Sequence, residues 1–348
     1  MLTLNNEKYT APELRQLSSK TYESDWQQSF WTFVKTWLDD KNYVEVKTSG
    51  STGTPKIIQL DKQRMIASAK ATGDFFGLKP NDKALLCLPC DYIAGKMMVV
   101  RAMVLGLNLY SVEPTGNPLK SVENEGFQFG AMIPLQVLNS LKSHRRQFEH
   151  IDKIIIGGGV VDNSLLDKLR TVRNQCFATY GMTETITHVA VKTLNGSQKS
   201  PIYQALKNVK FSQDNRNCLI IDAPYLNDNQ IITNDIVKLH SKSSFEWLGR
   251  FDNVINTGGI KVNPEQIEQK IEPFIDNDFF IAAANDEKLG SKVILIIENE
   301  GKIDFNLLKK QFHTVLSKFE MPKQIYILPK FERTETGKIQ RKRTLELI

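Results

Sequence analysis

The sequence predicts an α/β protein: a large N-terminal region of layered α/β and β parts, then a small α+β region at the C-terminus. Three observations carry this. Near-continuous apolar runs, ALLCLP at 84–89 and IDKIII at 151–156, alternate with stretches of helical periodicity, as strands covered on both faces require. After Leu194 the strands become short and the turns frequent, with polar patches between 213 and 230. A second change falls near Gly249, where GRFDNVINTGGIKVNPEQIEQKI opens a region with its own helices and strands. The 348 residues suit two or three domains at roughly 100–200 residues each. The expected division is 1–250 and 253–348, with a hinge near Asp252.

Taken in order, residues 11–40 read as helical, with Trp26, Phe30, Phe33 and Trp37 spaced four, three and four apart, an amphipathic stripe. Val44–Lys47 and IIQL are short strands around TSGSTGTPK at 48–56. Residues 62–76 form a helix packing through Met65, Ala69, Ala71 and Phe75. ALLCLP is a strand, 94–106 a helix, and LNLYSVEP a strand and turn. IDKIIIGGG ends a buried strand in three glycines, 162–172 is a helix, and CFATYGMTET passes from strand to loop. Beyond residue 253, NPEQIEQKI begins a helix, VILIIE and QIYIL are strands, 304–317 is a helix, and KIQRKR is a solvated basic tail.

Apolar residues at 41%, with 18 Phe, 9 Tyr and 4 Trp, supply core enough to exclude disorder as the main state. The net charge of +6 favours anionic ligands but is too weak, without interleaved aromatics in KIQRKR, to indicate nucleic acid. The opening MLTLNNEKYTAPELRQL lacks the basic and apolar segments of a signal peptide. No apolar run is long enough to span a membrane. Four cysteines, Cys87, Cys90, Cys176 and Cys218, are too few for a disulfide framework. The lone CLPC has no second pair for zinc, and a reducing cytoplasm is the expected setting.

TSGSTGTPK has the chemistry of a polyphosphate cradle. Glycines let backbone N–H groups converge on an anion, hydroxyls add donors, and Lys56 adds a mobile positive charge. It is neither a Walker A sequence nor a dinucleotide-binding G-x-G-x-x-G. The nonapeptide resembles the phosphate loop of the acyl-adenylate-forming superfamily of acyl-CoA synthetases, peptide-synthetase adenylation domains and luciferases. Further elements follow in that superfamily's order: the glycines at 157–159, YGMTET at 180–185, Asp235 in TNDIVKL, GRFDNVINTGGIKVNPEQIE at 249–268 and ERTETGKIQRK at 332–342.

The resemblance implies a two-step reaction with ATP, Mg²⁺ and CoA. Thr48, Ser49, Gly50, Ser51, Thr52, Gly53 and Lys56 would hold the leaving phosphates. Tyr180 and Gly181, with Gly158 and Gly159, would meet adenine. Thr183 would donate to the α-phosphate and Glu184 would hold Mg²⁺. Asp235 would accept from the ribose hydroxyls, with Arg250 assisting. Lys338 would bridge carboxylate and α-phosphate during adenylation. Asp252 would be the hinge on which a mobile C-terminal domain turns, withdrawing Lys338 and presenting Gly258, Gly259 and Lys261 to CoA.

For the acid, LPCDYIAGKMMVVRAMVLG at 88–106 stands where the superfamily carries an acyl-pocket helix. Lys96 and Arg101 are cations within it, and a charge buried there without a partner is costly. This segment and YGMTETITH resemble the 2-succinylbenzoate–CoA ligases of menaquinone biosynthesis, whose aromatic keto-diacid would explain a cation deep in the site. His188 is assigned to the pocket or its entrance. The alternatives are another aryl- or small-acid–CoA ligase, or a stand-alone adenylation enzyme loading a carrier protein. Only 47 residues precede the phosphate loop, so much of the superfamily's N-terminal subdomain, with its share of the acid-pocket wall and dimer surface, is expected to be absent or minimal.

Overall fold

The computed structural model describes residues 1–47, 57–122, 125–301, 303–333 and 339–348. The phosphate loop from Thr48 to Lys56, including Ser49, Gly50, Ser51, Thr52 and Gly53, lies outside the described residues, as does Lys338. The chain divides into two compact units. One comprises Met1–Phe211, Ile221–Ile231 and Ser241–Ser244; the other comprises Ser212–Ile220, Ile232–His240 and Phe245–Ile348.

The first unit runs β1 (Leu2–Leu4), β2 (Glu7–Tyr9), α1 (Ala11–Ser18), α2 (Asp25–Trp37), β3 (Tyr43–Lys47), β4 (Ile57–Asp61), α3 (Lys62–Phe76), β5 (Lys83–Leu86), α4 (Ile93–Leu105) and β6 (Asn108–Ser111). It continues with β7 (Phe127–Met132), α5 (Pro134–Ser143), α6 (Arg145–Glu149), β8 (Ile151–Ile156), α7 (Asn163–Leu169), β9 (Gln175–Gly181), β10 (His188–Thr193) and β11 (Ile202–Ala205). Its main sheet has the order β2-β1-β6-β5-β7-β8-β9-β10-β11, and β3 and β4 pair with each other antiparallel in a separate sheet. The six from β1 to β9 in that path are parallel, and β2 and β10 join antiparallel. Ligands of such sheets gather beyond the carboxyl ends of the strands. Those ends deliver the loops after Leu86, Met132, Ile156 and Gly181.

The central parallel strands are buried on both faces, since consecutive residues, Ala84, Leu85 and Leu86 in β5 and Ile154, Ile155 and Ile156 in β8, are all buried. Helix α4 is apolar nearly all round, and Met97, Met98, Val99 and Val100 are fully buried, as expected of a helix inside a layered fold. Gly106, at φ 70°, ends it in the left-handed conformation.

Several expectations are corrected. The stretch 11–40 is two helices, because SKTYES intervenes and Ser24 caps α2 by accepting from the Gln27 amide at 3.4 Å. The apolar run at 84–89 is a strand only to Leu86 and continues as a buried loop. In α3 it is Phe76, not Phe75, that is buried. KIQRKR is no simple solvated tail: Arg341–Leu345 forms α10, and Arg341 pairs with Glu268 at 2.8 Å.

The helix-free stretch between 194 and 250 supplies β12 (Lys210–Gln213), β13 (Cys218–Asp222), β14 (Ile231–Ser241) and β15 (Ser244–Arg250), neighbours in chain order and mainly in the second unit. That unit also holds β16 (Ile255–Thr257), β17 (Ile260–Val262), α8 (Pro264–Ile271), β18 (Phe279–Asp286), β19 (Gly290–Glu298), α9 (Phe305–Phe312) and β20 (Gln324–Leu328). Its second sheet has the order β17-β16-β19-β18, with β20 parallel to β19. Ile267, Ile271, Leu295 and Phe312 build its core. All four cysteines are free and buried, and burial pushes the Cys87, Cys90 and Cys176 thiols up to about 12.

Candidate active site

In the first unit, the loops beyond β8 and β9 carry the residues assigned to nucleotide. Gly158 adopts φ 76°, and a Cβ on Gly159 would lie 3.3 Å from Pro134. A Cβ on Gly157 would meet the Thr179 hydroxyl at 2.5 Å. Packing onto neighbouring elements is thus one reason for this glycine run. Tyr180 is half-buried at the end of β9, its ring 5.8 Å from that of Tyr203. Thr183 is partly exposed and Glu184 exposed, on the short turn before β10. Among the described residues no group of three or more metal-ligating side chains converges. A lone exposed carboxylate nonetheless fits Mg²⁺, which commonly takes one or two carboxylates and completes its shell with substrate phosphates and water.

The expected acid-binding cations separate. The Lys96 ammonium donates to the carbonyls of Cys90 and Asp91 at 2.6 and 2.9 Å and lies 5.6 Å from the centre of the Phe33 ring. It lines a cavity of about 510 Å³ with Phe33, Tyr43, Glu45 and Asp91, to which neither Arg101 nor His188 contributes. Arg101 is 2% exposed. Its Nη1 meets the Met98 sulfur at 3.6 Å and its Nε has no hydrogen-bond partner among the described residues. Burial alone brings its guanidinium down to about 10, which leaves it charged at neutral pH. His188, 6% exposed, opens β10 opposite Gly181, and its ring stands edge-on to Phe76 with centroids 6.5 Å apart. Its Nε2 is buried without a hydrogen-bond partner among the described residues. Burial first, and the Arg101 charge second, hold the imidazole well below its ordinary range.

In the second unit, Asp235 on β14 is 6% exposed. It accepts from the Trp247 indole at 3.2 Å and lies 3.6 Å from Arg250 Nη1. Arg250 also donates to Asp252 at 2.8 Å, and the Asn234 amide donates to both Asp252 oxygens at 3.2 and 3.3 Å. Arg216 donates to Asn234 Oδ1 at 3.0 Å and covers the Phe251 ring at 5.1 Å. The structure therefore joins three expected residues, Asp235, Arg250 and Asp252, in one network. It adds Arg216, Asn234 and Trp247, which sequence reasoning missed; only the adjacency of Asn234 to Asp235 hinted at any of them. Gly258 and Gly259, at φ 59° and 83°, form the two-residue turn of the β16–β17 hairpin. A turn with both central residues left-handed calls for glycine on its own account. Lys261 is exposed on β17.

The family model described as "AMP-binding enzyme" matches residues 15–213, more than half of the chain. The protein belongs to this AMP-binding, acyl-adenylate-forming enzyme family. Over 321 residues it is 25% identical to the 2-succinylbenzoate–CoA ligase of Staphylococcus epidermidis, covering 85% of this chain and 68% of that one. It is 35% identical to an acyl-CoA synthetase (AMP-forming)/AMP-acid ligase II-like protein from Dyadobacter fermentans, whose crystal structure superposes with a TM-score of 0.66 over 97% of this chain and 98% of the other. The fold is also that of an o-succinylbenzoate–CoA synthetase from Bacillus subtilis, solved with ATP and magnesium, at TM-score 0.74 and 20% identity over 86% of this chain and 69% of that one. No helix among the described residues is long and apolar enough to cross a membrane.

Proposed function

We propose that this family member is a 2-succinylbenzoate–CoA ligase of menaquinone biosynthesis. In the first step a carboxylate oxygen attacks the α-phosphorus of ATP, the bond to the β-phosphate breaks, and pyrophosphate leaves. In the second, the CoA sulfur attacks the acyl carbon, AMP leaves, and the thiol proton passes to solvent. Two anions meet in the first step, so cations and oriented donors decide its rate. Lys56 and the 48–53 loop would take the leaving phosphates, Thr183 the α-phosphate, and Lys338 the developing charge between carboxylate and phosphorus. Glu184 would hold Mg²⁺, which supplies charge neutralisation at the phosphates when bound. Tyr180, Gly158, Gly159 and Gly181 would bound the adenine, and Asp235 and Arg250 the ribose. Gly258, Gly259 and Lys261 would serve CoA after a turn about Asp252.

One observation carries the substrate reading: the buried Arg101 guanidinium has no carboxylate partner among the described residues, and it stands within electrostatic reach of His188. A second carboxylate on the acid would supply the missing counter-charge. Lys96 is the weaker candidate, because backbone carbonyls already take its protons. The curated relatives at 25–26% identity support the same substrate. The test is a panel of carboxylic acids assayed for AMP and CoA thioester. 2-Succinylbenzoate should be the preferred acid; preference for benzoate would remove the substrate assignment and leave acyl-CoA synthesis standing.

A further inference from the structure

The turn that carries Thr183 and Glu184 is closed by residues to which no role has yet been given. Thr185 is fully buried, and its hydroxyl sits inside the turn. It accepts from the Met182 amide at 2.9 Å and has two carbonyls in donor range, Met182 at 2.9 Å and Thr187 at 2.6 Å. Ile186 follows at φ 64°, ψ −59°, the left-handed γ-turn geometry, which is rare and strained. For a β-branched residue a positive φ is a genuine outlier. Ile186 is nonetheless 2% exposed, and the turn is cross-tied by the Ile186 amide to the Thr183 carbonyl at 2.9 Å and the Thr187 amide to the Thr185 carbonyl at 2.6 Å.

The anchoring extends past the turn. The Thr187 hydroxyl meets that of Ser68 on α3 at 3.0 Å, and Ser68 is itself buried. On the other side, a Cβ on Gly181 would fall 2.3 Å from the Thr187 carbonyl, so the two ends of the turn are in backbone contact. Burial reverses within two residues: Glu184 is exposed, whereas Thr185 and Ile186 are buried. Strain of this kind persists where the surroundings over-determine it, and it concentrates at functional sites.

We propose that Thr185 and Ile186 are positioning residues for adenylation: they hold the 182–187 turn in its strained, closed form and so fix where Thr183 and Glu184 present their oxygens. This rests on the reading of Thr183 and Glu184 as the α-phosphate and Mg²⁺ residues. Displacement of a reacting geometry by about 1 Å can cost on the order of 100-fold in rate. Most contacts proposed for ATP lie elsewhere, so the loss should fall on kcat rather than on KM.

The experiment measures acid-dependent pyrophosphate release at varied ATP and Mg²⁺ for four variants, with thermal midpoints alongside. Thr185→Val, near-isosteric but without the hydroxyl, should lower kcat about 100-fold and raise the Mg²⁺ concentration for half-maximal rate. Its KM for ATP should stay within about threefold. Thr185→Ser should restore most of the rate. Ile186→Gly, which permits the same backbone without enforcing it, should lower kcat in the same way. If Thr185→Val does not fold, Ser68→Ala tests the anchor from outside the turn and should give a smaller kcat loss of the same type. A folded Thr185→Val of wild-type kcat would overturn the proposal, as would a loss that serine does not rescue and that merely follows thermal inactivation. Glu184→Gln, run in parallel, separates the two levels. If it is impaired and Thr185→Val is not, the positioning proposal alone falls. If it is fully active, the reading beneath falls and takes the proposal with it.

Discussion

Burying the Arg101 guanidinium to 2% exposure removes most of its hydration, and that loss is largest where no anion replaces the water. A charged hydrogen bond to an incoming carboxylate is worth about 1.5–3 kcal/mol, and 3 kcal/mol corresponds to roughly 150-fold in kcat/KM. Arg101→Leu should therefore lower kcat/KM for 2-succinylbenzoate by up to about that factor while barely changing kcat/KM for benzoate, which has no second carboxylate to lose. Parallel losses with diacid and monoacid would remove the clamp. His188 gives a second test, in stability. Its pKa is lowered in the fold, so below about 6.5 the unfolded chain binds a proton that the native state refuses. The stability due to neutral His188 is thus present above that pH and is lost as pH falls, by at most about 1.4 kcal/mol per unit. Urea midpoints between pH 7.5 and 5 should fall for the wild type and flatten for His188→Phe. The presence of a cation inside MMVVRAMVL is legible in the sequence; the absence of a carboxylate partner among the described residues is not, since ion pairing is decided by distant neighbours. Lys96 carries the same local signal, and the structure ties it to the carbonyls of Cys90 and Asp91.

Among the elements, legibility follows local periodicity. Helix α3 spans Lys62–Phe76 as its pattern predicts, and α4 begins and ends one residue earlier than its predicted range. Strand β7, FQFGAM, escapes sequence reading because its place between β5 and β8 is a matter of long-range pairing. The break between α1 and α2 is missed for the opposite reason: an apolar stripe does not register a polar interruption. The approach of α4 to the loop after β5 is likewise tertiary, and it explains Gly95. A Cβ there would lie 2.3 Å from the Pro89 carbonyl, and the Lys96 ammonium reaches the same loop. Gly95→Ala should force the loop and the helix apart and cost about 1–3 kcal/mol, the range for overpacking. A urea midpoint as high as that of the wild type would show that the loop shifts freely.

Across the whole molecule, the residues proposed to act on ATP are shared between the two compact units. Tyr180, Thr183 and Glu184 belong to the first, and Asp235 and Arg250 to the second. The second also contains the flanks of the TETGK segment: Arg333 and Ile339 pair as an isolated antiparallel bridge, and Arg333 is anchored to Asp278 at 2.6 Å and to Glu298. Lys338 directly precedes Ile339 in the sequence, and a lysine side chain in general has a long, adaptable reach. In adenylation, the positive charge of Lys338 is proposed to act between two anions whose repulsion is greatest as they meet, so its benefit appears mainly in the transition state. Thioester formation begins from an adenylate in which that repulsion is gone, and has no comparable need of it. Lys338→Ala should therefore lose acid-dependent pyrophosphate release by orders of magnitude, yet still convert supplied acyl-adenylate and CoA to thioester at a rate near that of the wild type. Assaying the two half-reactions separately distinguishes this role from a general structural one, because damage to the second unit would slow both. Equal loss in the two assays would mean that Lys338 supports the fold or serves CoA, and is not the cation of the first step.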